Sequence, residues 1–203
     1  MSGLPQQYVR HPLGLPPGSV RAMLAVMITG LFVLLVCLPA EKVVEVPLFL
    51  YFLMSLLLVF ITAHGKTISA EGDPHPFGMP KGFFRTLVLI GIVAAIGWRI
   101  WIDPSQLTKR LTPTEHQLAD WPYLCGSLFG GFLLGRLLRI GPWRSRPMFQ
   151  DLLAWVSLLC MIGLVIYTLA VVFVRPTMAE GLDLRWLESA LTGAIALYFG
   201  ARS

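Results

Sequence analysis

The chain has 203 residues, of which 56% are hydrophobic and only 13% are charged, with a formal net charge of +5. Soluble domains carry about 25% charged residues, so a soluble core of this size could not cover so much apolar surface, and the bilayer is the expected solvent. The basic residues cluster in short loops between apolar runs, which indicates a topological role and not nucleic-acid binding.

Six apolar runs, taken in chain order, predict six membrane-spanning helices. They lie at 22–38, 46–63, 83–102, 121–138, 152–174 and 186–201. A spanning helix needs about 17–25 residues, and the first, second and fifth runs reach this length without a charge. The other three would span only with their flanking charges at the membrane interface. The sequence therefore predicts an all-α integral membrane protein whose residues 1–203 form one polytopic domain.

The first and third runs begin with the same motif. The stretch "LGLPPGSVRAMLAVMITG" begins at residue 13, and "FGMPKGFFRTLVLIGIVA" begins at residue 77, 64 residues further on. Proline cannot continue an upstream helix, glycine permits a tight turn, and arginine suits the headgroup level. We also predict that Ser19 caps the first helix. The shared residues of this helix-start motif are Gly14, Pro16, Gly18 and Arg21 in one copy and Gly78, Pro80, Gly82 and Arg85 in the other.

The spacing of the motif predicts a repeated helical hairpin. Two predicted spans separate the copies, so both copies enter the membrane in the same direction. The candidate hairpins of about 64 residues are 13–76 and 77–140, with 141–203 as a third. They would surround a pseudo-axis along the membrane normal, as parallel repeats do in some transporters. The alternative is that the two motifs mark no repeat, because any chain that enters a membrane from the cytoplasm could use such a turn.

The loop charges predict the orientation. Lys and Arg number ten on the side that holds both chain ends and six on the other. The positive-inside rule then places both termini in the cytoplasm, and a bacterial inner membrane is the expected location. The loop near 136–146 supplies most of the contrast, and its arginines either serve only this topology or contact anionic lipid headgroups. These arginines are Arg136, Arg139, Arg144 and Arg146.

The fourth run contains two consecutive GxxxG motifs in the stretch "GSLFGGFLLG". Gly126 pairs with Gly130, and Gly131 pairs with Gly135. Glycines at this spacing let two helix backbones approach closely in a membrane. We expect this face to pack against another helix of the chain, or against a second copy or a partner subunit.

The sequence contains no pattern typical of a catalytic site. Ser127 would need a nearby base to act as a nucleophile, and no histidine lies at the centre of a run. The three cysteines and four histidines have no metal-ligand spacing. No ionisable residue lies mid-run, which disfavours a proton-coupled carrier. We therefore predict a protein with no catalytic, metal or cofactor site.

Two functions are consistent with these features. The first is a non-enzymatic structural or accessory subunit of a membrane assembly, whose partners are the lipid bilayer and either other subunits or its own copies. The alternative is a small oligomeric channel or carrier with its pore near the pseudo-axis. A lipid-handling enzyme would depend only on the basic loop near 136–146.

Overall fold

The structure is a computed structural model, and it describes residues 12–16, 18–39, 46–64, 79, 82–140, 147–173 and 185–202. These residues form α-helices and a short 3-10 turn at Pro12–Gly14, and they contain no strand. The seven helices of the described ranges are α1 (Ser19–Cys37), α2 (Leu48–His64), α3 (Phe83–Ile102), α4 (Pro104–Leu111), α5 (Glu115–Ile140), α6 (Pro147–Phe173) and α7 (Arg185–Arg202).

Four of these helices are long and apolar enough to cross a membrane. They are α1, α3, the segment Gln117–Ile140 of α5 and the segment Met148–Phe173 of α6. The apolar part of α2 is shorter, at Leu48–Thr62, and α7 has charged residues in its first and last turns. A helix rises 1.5 Å per residue, so the 17 residues of α2 cover roughly 25 Å of a hydrocarbon core about 30 Å thick. Length and composition thus support four of the six predicted spans.

Hydrogen bonds between helix ends define two ends of the bundle. At the first, which we call the α4 end, Arg110 donates to the carbonyl of Leu38 and Gln117 donates to that of Val46. This end therefore gathers the C-terminus of α1, the start of α2, α4 and the start of α5. At the second, which we call the Arg202 end, Arg202 in the last turn of α7 donates to Gln150 in the first turn of α6. The long helices consequently run in alternating directions along the chain.

The core lies between α1, α2, α7 and the inner face of α6. Large side chains with no exposed surface fill it, including Leu24 and Ile28 of α1, Phe49 of α2 and Phe199 of α7. The ring of Phe60 meets Phe199 edge-on at 5.4 Å between centroids. Large apolar side chains on α3, α5 and α6 remain exposed at the outside of the bundle. Such an outer surface suits lipid, because hydrocarbon tails are as apolar as these side chains.

The two copies of the helix-start motif share their backbone geometry. Gly18 (φ 86°, ψ −9°) and Gly82 (φ 77°, ψ −5°) are both left-handed and both directly precede a helix. Only glycine adopts this conformation without strain.

The predicted cap by Ser19 is wrong: the left-handed turn makes Gly18 the cap residue, so Ser19 becomes the first helical residue and no side chain caps α1. Of the other motif residues, Gly14 is left-handed as well (φ 65°), Pro16 accepts a backbone hydrogen bond from Ser19, and Gly78 and Pro80 lie outside the described residues.

The segment between the third and fourth predicted spans is helical, although we expected a loop. Asp103 caps α4 by accepting hydrogen bonds from the backbone N–H groups of Ser105 (3.1 Å) and Gln106 (3.2 Å). Pro104 occupies the first helical turn, where its missing N–H costs nothing and its fixed φ suits a helix. The sequence "DPSQ" is therefore a local helix-start signal that our search for apolar runs did not consider.

We expect the cap at Asp103 to depend on pH. Hydrogen bonds from the Ser105 hydroxyl and from the Gln106 N–H lower the pKa of this carboxyl group in the folded protein. Its stabilisation of α4 is thus complete above the ordinary Asp pKa of about 3.9 and is lost as the pH falls through the lowered pKa. Amide exchange protection in 105–111 should fall over that acidic range in the wild type. Asp103→Asn, which keeps an acceptor but cannot titrate, should show a flat profile, and equal profiles would contradict the expectation.

Candidate functional site

The closest approach between helices in the described residues lies between α5 and α7, at glycines. A Cβ atom placed on Gly131 would overlap the carbonyl of Gly193, and one on Gly135 would overlap the carbonyl of Leu197. In the opposite direction, a Cβ on Gly200 would overlap the carbonyl of Phe132. The two helices run parallel, because Gly131 meets Gly193 and Gly135, further along α5, meets Leu197, further along α7. Backbone therefore meets backbone here, as small residues permit in membrane helices.

The other predicted glycine pair lies on a different face of α5. Gly126 and Gly130 are exposed, and a Cβ on either would meet no atom within 4 Å. Adjacent helical residues point about 100° apart, so Gly130 and Gly131 cannot share a contact. The sequence reasoning did not identify Gly193 and Gly200 of α7 as the facing glycines. Gly193 and Gly200 are seven residues apart, which is two helical turns, so they lie on one face of α7. This spacing could have identified them from the sequence.

Three arginines converge on one cavity at the Arg202 end. The cavity has a volume of about 210 Å³. Arg21 comes from the first turn of α1, and Arg139 and Arg202 come from the last turns of α5 and α7. None of the cavity's described lining residues is acidic. The remaining lining residues are Leu138, Phe149, Gln150, Leu153 and Ala201.

Neighbouring side chains hold two of these arginines in place. The guanidinium of Arg21 lies over the ring of Phe60, 5.0 Å from its centroid, and is close to the hydroxyl of Tyr198. Arg202 Nη2 donates to Oε1 of Gln150 at 3.0 Å. A cation over an aromatic ring is attracted by the ring quadrupole, so both guanidinium groups are positioned before any ligand binds.

The predicted lipid-contacting arginines have different surroundings. Arg139 lines the cavity, whereas Arg136, one turn earlier on α5, is exposed and does not line it. Arg144 and Arg146 lie outside the described residues. The two motif arginines also differ, because Arg21 lines the cavity and Arg85 is exposed at the start of α3. The sequence assigned Arg21, Arg139 and Arg202 to one side of the membrane but did not indicate that they meet.

Two further arginines are buried at the α4 end. Arg110 is only 3% exposed and Arg99 6%. Arg110 Nη1 donates to two carbonyls in the last turn of α1, those of Leu35 (3.3 Å) and Val36 (3.3 Å), and to that of Leu38 (2.7 Å), the residue that follows the helix. The last carbonyls of a helix have no partner within the helix, so Arg110 satisfies groups that would otherwise be buried unpaired. Desolvation, with the nearby Arg99 cation, lowers the pKa of Arg110, which nevertheless stays charged.

The described part of the chain contains no cluster of metal-ligating side chains. No group of three or more His, Cys, Asp or Glu in it could hold a metal ion, and Cys37, Cys125 and Cys160 are free. The hydroxyl of Ser127 donates to the carbonyl of Leu124 in its own helix at 3.0 Å. The arrangement can position helices and gather positive charge, which are binding and assembly properties.

These observations define the class of protein: an all-helical chain with four helices able to span a membrane, a glycine-mediated helix pair and a cavity lined by arginines. No protein-family model, curated protein or solved structure matches the chain.

Proposed function

We propose that this protein is a non-enzymatic structural or accessory subunit of a membrane assembly. The observation that carries the proposal is the open glycine pair Gly126 and Gly130 on the exposed face of α5. Glycine costs about 1 kcal/mol relative to alanine inside a helix, and the gain in a membrane is close backbone contact. The pair Gly131 and Gly135 makes that contact within the chain. The open pair is available to a helix of a partner subunit or a second copy.

Copurification in mild detergent tests this function. We expect the wild type to elute with a partner subunit or as a defined oligomer. The double variant Gly126→Leu, Gly130→Leu should lose that complex and keep the thermal stability of the monomer, because neither Cβ meets a neighbouring atom within the chain. The proposal fails if the wild type is monomeric and alone, or if the double variant elutes as the wild type does.

We further propose that six helices cross the membrane, with both termini in the cytoplasm, in a bacterial inner membrane. Two observations support this topology: the alternating directions of the long helices, and the ten-to-six bias of Lys and Arg between the two sides. The shorter helices α2 and α7 contribute the buried side chains Phe49 and Phe199. Protein thus covers much of their surface, and a short span is tolerated at modest cost by local thinning of the bilayer.

Reporter fusions test the topology. We expect a cytoplasmic-type signal from a fusion at Ser203 and an exported-type signal from a fusion within α4 at Pro104–Leu111, because an odd number of crossings would separate them. The same type of signal at both positions would contradict the six-helix arrangement. Both signals inverted would preserve the six crossings and reverse the orientation.

The hairpin repeat also remains a proposal. It is supported by the shared left-handed geometry of Gly18 and Gly82, and by the packing of helices at equivalent positions of the candidate hairpins. α1 packs beside α3, and α5 packs beside α7. Gly131 faces Gly193, which lies 62 residues later in the chain, a distance close to the proposed repeat of about 64 residues.

The alternative function, a small oligomeric channel or carrier, stays a prediction. A pore near the pseudo-axis, as predicted, would have to pass the apolar side chains that fill the core, such as Phe49 and Phe199, so this arrangement favours the accessory subunit.

A further inference from the structure

We propose that the cavity between Arg21, Arg139 and Arg202 binds one phosphate-type oxyanion, either the phosphate of an anionic lipid headgroup or a soluble phosphate. Each arginine comes from a different helix, and all three line the same volume. A guanidinium presents its N–H donors in a fixed fork that matches phosphate oxygens and can bind them bidentately. Three such forks around one cavity form a recognition site for a multiply charged oxyanion.

The charge balance of the cavity favours an anion. Like charges repel more strongly where protein reduces the effective dielectric constant, and no described lining residue is acidic. The nearby carboxylate of Asp151 accepts a hydrogen bond from the backbone N–H of Leu13 at 2.7 Å, which directs that oxygen to the 3-10 turn. A bound oxyanion would offset the repulsion between the three cations without rearranging Asp151.

The helix dipoles explain only part of this cluster. A cation in the last turn of a helix is stabilised by the negative end of the dipole, and this accounts for Arg139 and Arg202. Arg21 lies in the first turn of α1, where the dipole disfavours a cation. Its contact with the ring of Phe60, beside Tyr198, holds it next to the other two arginines nevertheless. This positioned third cation is consistent with a ligand shared by all three arginines.

The size and position of the cavity fit a headgroup phosphate. Its volume of about 210 Å³ far exceeds the roughly 10–15 Å³ that a single water needs, so a hydrated oxyanion can enter. The three arginines lie in terminal turns, at the level where spanning helices meet the headgroups. Leu138, Phe149 and Leu153 supply an apolar side to the same cavity, which suits the glycerol and upper acyl carbons of a lipid.

Thermal unfolding of the full-length protein tests the proposal and separates the two phosphate sources. The purified protein in neutral detergent would be titrated with sodium phosphate, with sodium chloride at matched ionic strength, and with mixed micelles containing phosphatidylglycerol or phosphatidylcholine. We expect saturable stabilisation by at least one phosphate anion beyond the chloride effect, since a ligand that binds only the folded state stabilises it. Stabilisation by phosphatidylglycerol alone identifies a headgroup, and stabilisation by sodium phosphate identifies a soluble anion.

Two matched variants assign the effect to the cavity. Arg139→Gln should weaken the apparent affinity about tenfold, the loss expected for one charge-assisted hydrogen bond. Arg136→Gln changes the same charge one turn away on α5, outside the cavity, and should leave the affinity within about twofold. Because Arg139 is exposed, its substitution should leave folding intact, which unfolding without ligand would verify. Equal losses in both variants, or no saturable stabilisation by either phosphate source, would overturn the proposal.

Discussion

Replacing Gly135 with alanine should separate α5 from α7 and lower the free energy of unfolding by about 3 kcal/mol, the upper part of the range for overpacked cores. Gly135 is buried, and its added Cβ would overlap the carbonyl of Leu197 and lie 2.7 Å from the backbone nitrogen of Ala201. Both are backbone atoms, so no rotamer change can relieve the overlap and the helices themselves must move apart. Lipid is as apolar as the added methyl group, so no gain from burial offsets the strain.

The chain supplies its own control for this substitution. Gly130→Ala adds the same methyl group to the same helix at a position where no atom lies within 4 Å. It should be neutral or stabilise the monomer by up to about 1 kcal/mol, because alanine favours the helix. Reversible unfolding in detergent, followed by helical circular dichroism, compares the two. Equal stabilities for Gly135→Ala and Gly130→Ala would show that α5 and α7 do not touch as described.

Replacing Arg110 with methionine should be the second large perturbation, with a loss of about 2 kcal/mol of stability. Methionine fills similar space but cannot donate to the carbonyls of Leu35, Val36 and Leu38. Hydrogen bonds from charged groups contribute about 1.5–3 kcal/mol, and unpaired buried carbonyls add to the loss. Relief of desolvation and of repulsion from Arg99 offsets part of it, which is why we expect an intermediate value.

Lys109→Met is the matched control, because Lys109 precedes Arg110 on α4 and is exposed. We expect it to change stability by less than about 0.5 kcal/mol, as exposed substitutions usually do. Hydrogen exchange should locate the effect of Arg110→Met in the last turn of α1 and in α4, where the lost bonds lie. Stability equal to that of Lys109→Met would mean that water satisfies the α1 carbonyls without Arg110.

The glycines of α5 show how far local sequence can reach. The GxxxG spacing predicts that a helix can approach this run closely, and it does so without knowledge of the fold. It does not distinguish Gly126 and Gly130 from Gly131 and Gly135, since a one-residue shift only rotates the face by about 100°. Which face meets a neighbour depends on where α7 lies, and that position is set by the packing of the whole bundle.

Helix α4 and the cap of α1 show a different limit. The signal for α4 is local, in Asp103 and Pro104, but it is polar and therefore invisible to a search for apolar runs. The cap at Ser19 was plausible from residue type, yet the left-handed Gly18 starts the helix one residue earlier than such a cap requires. The first difference arises because a polar cap and a proline contribute nothing to an apolar run, and the second because glycine permits the left-handed turn at Gly18.

By itself, the sequence determined the class of this protein: a helical chain with apolar runs long enough to cross a membrane, with its glycine and arginine positions in place. Those properties follow from composition and from the spacing of residues that are close along the chain, and both can be recognised without knowing the fold. Only the tertiary structure decided that Gly131 faces Gly193, that Arg110 completes the end of α1, and that Arg21, Arg139 and Arg202 line one cavity. These residues are distant along the chain, and helices of equal hydropathy can pack in many arrangements. Their proximity therefore depends on side-chain packing, which hydropathy does not encode.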